Sequence, residues 1–183
     1  MNFNNAFYKA KHLIIEKYNI SVREDILSYP KTGEFDGTSI SIHPYQNAEN
    51  KLFLLVHLFG HNVQWIVNDE WRNLGLSQPD FSNFEKVRAK YIDALPKIHQ
   101  YEYEACQYGL QLLHEAGITE FDQWISDMAN ADWAYLQDCY LKGYSKERHD
   151  NFLSLYFKEN SKLINPIPIP YFTPVWWDSK YAF

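Results

Sequence analysis

Apolar positions recur at two periods along the chain. In AFYKAKHLIIEKY (Ala6 to Tyr18), Phe7, Leu13, Ile14 and Tyr18 fall near the helical period and predict an amphipathic helix. The passage SYPKTGEFDGTS, punctuated by Pro30, Gly33 and Gly37, reads as turns. Thr38 to His43 then alternates polar and apolar residues, a short strand ended by Pro44, and a weaker strand is expected near Asp25 to Tyr29. Together these predict a small antiparallel sheet. Asn47 or Asn50 can cap the next helix, which runs to about Val67 and is apolar on nearly every side, so its expected place is the interior.

Past a looser polar segment from Asn68 to Asn83, FEKVRAKYIDAL predicts a helix halted before Pro96. A long helix from Lys97 follows, ended by Gly117 as C-cap. Thr119 and Asp122 open another that reaches about Leu141, and Ser145 starts a last one over KERHDNFLSLYFKEN. Four prolines in INPIPIPYFTPVWWDSKYAF forbid a regular helix or central strand there. The pattern predicts a helix-dominated α+β fold. Residues 1–165 form one domain, with 166–183 lying extended over it. Trp176, Trp177, Tyr181 and Phe183 would pin that tail, and could fill a groove where a peptidase holds its substrate.

Composition narrows the classes. A hydrophobic share of 46%, with 17% aromatic, supplies a packed core and excludes a disordered chain. The net charge of -6, with no long Lys/Arg cluster, argues against a nucleic-acid partner. No apolar run is long enough for a membrane span and the N-terminus lacks a signal design, so a soluble cytoplasmic protein is expected. Two cysteines, Cys106 and Cys139, are too few for a disulfide framework. Neither a Ser-His-Asp arrangement, a phosphate-cradling Gly-rich loop nor a CxxC pair is present.

The candidate chemistry lies in FLLVHLFGHNVQW, Phe53 to Trp65. On a helix His57 and His61 share a face and can point two imidazoles at one ion. A third ligand is available from YEYEACQYGLQLL. Glu102 and Glu104 point about 200° apart on a helix, so only one can join. The small residues Ala105, Cys106 and Gly109 beyond Glu102, with Gly60 beside His61, let two helices approach closely. Glu102 is therefore the better candidate, while Glu104 heads a polar face with Gln107, Tyr108 and Gln111.

Strand, histidine helix and then E-x-E-A, with His57, Gly60, His61, Glu102, Glu104, Ala105, Tyr108, Gly109, Leu112 and Leu113 in place, resemble the ImmA/IrrE family of zinc metallopeptidases. The likeness covers about Phe35 to Leu113. It implies a zincin-like domain, zinc or another divalent transition metal on His57, His61 and Glu102, and a protein or peptide partner. Two departures matter. The family's catalytic glutamate is Leu58 here, and a hydrocarbon cannot take a proton from water. Four residues after Glu102, where a residue orienting a histidine is often found, stands Cys106, a poor acceptor.

Gln64 shares the histidines' face and could orient a ligand or a bound water. His43, His99 and His114 are isolated. The leading expectation is a metal-binding, proteolytically inactive relative with a binding or regulatory role. One alternative is an active zinc-dependent hydrolase using Glu104 or Glu70 as a substitute acid. Another is a helical interaction domain that binds no metal.

Overall fold

One helix organises the molecule because its sequence has almost no polar face. In the computed structural model, which describes residues 2–76 and 91–178 and the backbone of 181–182, α2 spans Ala48–Val67 and is buried at every position from Leu52 to Trp65. Asn47 caps it, its side-chain oxygen accepting from the Asn50 backbone N–H at 2.8 Å. On one side lies α1 (Phe3–Tyr18), which buries Ala6, Phe7, Ala10 and Ile14.

The sheet covers another side of α2. Its strands are β1 (Ser21–Glu24), β2 (Gly33–Phe35), β3 (Ser39–Ile42) and β4 (Tyr181–Ala182), in the order β1-β3-β2-β4. β2 and β3 form an antiparallel hairpin. Its turn is held by the Asp36 carboxylate, which accepts from the backbone N–H groups of Thr38 at 3.0 Å and Ser39 at 2.8 Å. β1 pairs with β3 in parallel, so the sheet is mixed rather than the antiparallel one expected. Glu24 at the end of β1 and Gly33 at the start of β2 both lie opposite Ile42, so the Asp25–Thr32 connection passes across the end of β3 from one of its edges to the other. The strand expected at Asp25 to Tyr29 is that connection, and the first strand lies just before it.

Behind α2 runs α4 (Leu95–Glu115), and behind that α5 (Asp122–Lys142). Pro96 sits in the first turn of α4 rather than ahead of it, where a missing N–H costs nothing. Gly117, with φ +72°, follows the end of α4 as expected. Two segments differ from expectation. The polar stretch after α2 contains a helix, α3 (Asp69–Leu76), and the last helix splits into α6 (Lys146–Asp150) and α7 (Phe152–Tyr156). Most of FEKVRAKYIDAL lies outside the described residues; its end forms a short 3₁₀ turn, Ile92–Ala94.

From Phe157 to Asp178 the chain has no regular element and runs over the helices. The Ile164 N–H donates to Ser126 Oγ at 3.0 Å, Phe172 stacks on Tyr18 and the Trp177 N–H donates to the Asp36 carbonyl at 3.0 Å. β4 then adds antiparallel to β2. Among the described residues no helix is long and apolar enough to cross a membrane.

Candidate metal centre

The close approach of α2 and α4 follows from their glycines. A Cβ on Gly60 would lie 2.0 Å from the Ala105 carbonyl oxygen, and one on Gly109 would lie 2.6 Å from that of Val56. Backbone therefore rests on backbone at both points, as the small-residue stripe predicts. Between them the histidines of α2 meet the carboxylate of α4.

His57 Nε2 and His61 Nε2 are 3.0 Å apart, and Glu102 Oε2 lies 2.9 Å from the second and 3.2 Å from the first. All three side chains are buried. Zinc bonds of about 2.0–2.1 Å at tetrahedral angles separate ligand atoms by roughly 3.3 Å. The triangle has the size and the donor set for such an ion, with each side chain offering one ligand atom to a common point. Burial works to raise the Glu102 pKa, but its contacts with His61 and His57 outweigh this and hold the carboxyl well below its ordinary range.

Each histidine is held through its other nitrogen. Gln64 Nε2 donates to the Tyr101 carbonyl at 2.8 Å, which turns its Oε1 toward His61 Nδ1 at 2.9 Å. An amide oxygen only accepts, so Nδ1 of His61 carries a proton, and it is Nε2 that has the lone pair whenever the ring is neutral. His57 Nδ1 lies 3.2 Å from Cys106 Sγ. Burial, with the Asp132 and Glu102 charges, pushes the Cys106 thiol well above its ordinary pKa, so it stays protonated and is a weak partner. Phe53 stacks on the His57 ring at 5.3 Å and Tyr101 tilts over His61 at 4.4 Å.

Other candidates stand apart. Glu104 accepts from Trp71 Nε1 at 3.1 Å, and Glu70 is exposed and paired with Lys97. His43 faces Tyr45, His99 stacks on Trp133, and His114 pairs with Asp122 at 2.8 Å. Leu58, the residue after His57, is fully buried and points at β2: a Cβ on Gly33 would lie 2.6 Å from its Cδ1.

One residue near the centre was not singled out from sequence. Asp132 of α5 is buried at 2% exposure and has no hydrogen-bond or ion-pair partner among the described residues. Burial pushes its carboxyl up to about 7, with His57 opposing and Glu102 adding to the rise. The signal was available: Met128, Asp132 and Leu136 share a helical face, so a carboxylate stands in an apolar stripe.

No protein-family model, curated protein or solved structure matches the chain.

Proposed function

We propose that the chain is a metal-binding protein built on a zincin-like, ImmA/IrrE-type arrangement that has lost the peptidase's base and serves a binding or regulatory role. The observation that carries this is the convergence of His57 Nε2, His61 Nε2 and Glu102 Oε2, each within 3.2 Å of the others. His57 and His61 would hold a divalent ion, with Glu102 supplying the compensating negative charge. When bound, zinc supplies a Lewis acid at that point. Gln64 fixes the His61 tautomer, and Phe53 and Tyr101 hold the two rings in place. The position after His57 is a hydrocarbon turned toward Gly33, and neither Glu104 nor Glu70 approaches the three ligand atoms as a substitute base.

Metal content tests the reading on untagged protein purified without chelator. One divalent ion per chain, mainly zinc, is expected; His61→Ala should fall to background and Glu104→Gln should not change. Equal metal in wild type and His61→Ala overturns the site. The inactive half is tested by peptide hydrolysis, where a missing base removes about 10²–10⁴-fold. Chelator-sensitive cleavage that disappears in His57→Ala overturns that half alone.

A further inference from the structure

A cavity of about 430 Å³ opens between α5, the first half of α2, the β1–β2 connection and the α6–α7 region. Its size suits a small organic molecule. Phe53, Leu54, Met128, Tyr135, Leu136 and Phe152 give it a largely apolar wall. Asp132 also lines it, and this is the buried carboxylate that no described side chain or backbone group partners.

His57 favours the charged form of Asp132 from a distance, but neither basic side chain lining the cavity pairs with it. Lys31 is engaged by Glu34 at 3.4 Å, and His149 by Asp150 at 3.2 Å. A carboxylate withdrawn from water without a partner is costly, and a ligand that brings a donor offsets that cost. The surroundings select the ligand. A metal ion needs several oxygen, nitrogen or sulfur ligands converging on one point, and among the described residues Asp132 forms no such group with His149, Asp150 or Cys139, which also line the cavity. An anion meets the field of Asp132. A protonated amine satisfies the carboxylate with charge-assisted hydrogen bonds, and an apolar body attached to it fills the rest.

We propose that this cavity binds a small organic ammonium ion, its apolar body between Phe53, Met128, Tyr135 and Phe152 and its N–H groups donating to the Asp132 carboxylate. The site is separate from the metal centre and does not require a metal there. Phe53 links the two physically, since the ring that walls the cavity stacks on His57.

The test uses the full chain, as purified and after chelator treatment, titrated by calorimetry with 2-phenylethylamine as the probe. 2-Phenylethanol and phenylacetate are the neutral and anionic counterparts. The ammonium should bind at least about tenfold more tightly than the alcohol, with no saturable binding of phenylacetate. Asp132→Asn keeps the shape and removes the charge, and should abolish the preference for the amine. Leu136→Trp, at a half-buried wall position, fills the cavity while leaving the Asp132 carboxylate in the chain and should remove binding of the amine. If Asp132→Asn does not fold, this second variant decides the matter, and unchanged binding overturns the proposal. Equal affinity for amine and alcohol, no saturable binding of the amine, or a preference that survives in Asp132→Asn also overturns it. Because chelator-treated protein carries the same expectation, failure of the metal reading leaves this result legible.

Discussion

A neutral imidazole has one free lone pair, and in His61 it faces His57 and Glu102, the candidate metal site, because Gln64 holds the proton on the other nitrogen. Gln64 is itself oriented by the Tyr101 carbonyl. Gln64→Leu should therefore lower metal affinity by about 10–100-fold, read by competition with a chromogenic chelator, while Gln64→Glu retains an acceptor and most of the affinity. Loss in both variants alike would mean that packing at position 64, and not the hydrogen bond, matters. Leu58 makes the opposite case. Its side chain is enclosed against Gly33, so glutamate there would be a buried carboxylate without water or partner. We expect Leu58→Glu to lose several kcal/mol, seen as a large drop in Tm and loss of metal. A stable, metal-loaded Leu58→Glu would show that the pocket beside β2 opens to water after all.

Helices α2 and α4 touch through backbone, and that contact sets the distance from the histidines to Glu102. Gly60→Ala would place a methyl 2.0 Å from the Ala105 carbonyl oxygen, so the helices must part within one turn of both His61 and Glu102. The expected cost is about 1–3 kcal/mol, with a marked loss of metal. Gly117→Ala is the control: nothing lies within 4 Å, and only its left-handed φ of +72° resists, costing about 1–2 kcal/mol without changing metal content. If both variants keep their metal equally, the close approach is not what builds the site. This part of the architecture was legible in the sequence, because a small-residue stripe and a shared helical face are local patterns. The sheet was legible only in outline. β2 has three residues, too few to show alternation, and its outer partner is 181–182, far along the chain. β1 ends up parallel to its neighbour because β3 inserts between β1 and β2, a choice of partner that no local pattern encodes. α3 escaped because its opening is a side-chain device: the Glu70 N–H donates to Asn68 Oδ1 at 2.9 Å within a polar run. Asp132 escaped because a single aspartate among aromatic and apolar residues makes no ligand-spacing motif of its own.

At the scale of the whole molecule, the two buried carboxylates pull stability in opposite directions with pH. The helices that bring His57, His61 and Glu102 together also enclose Asp132, so both titrate within one cooperative unit. Glu102 has its pKa lowered by the histidines. Its contribution is present above the ordinary glutamate value of about 4.3 and is lost as pH falls through the still lower folded value. Asp132 has its pKa raised from 3.8 to about 7. Between those values the folded chain holds a proton that the unfolded chain has released, so stability falls as pH rises across that interval and levels off above it. Asp132→Asn removes this penalty and leaves the Glu102 contribution in place. In urea unfolding of chelator-treated protein, the variant should match or slightly trail wild type near pH 4 and exceed it near pH 8. The difference should grow at no more than about 1.4 kcal/mol per pH unit between pH 4 and 7. A constant difference across that range would mean that Asp132 is partnered in solution, and would remove the unsatisfied carboxylate on which the proposed ammonium site rests.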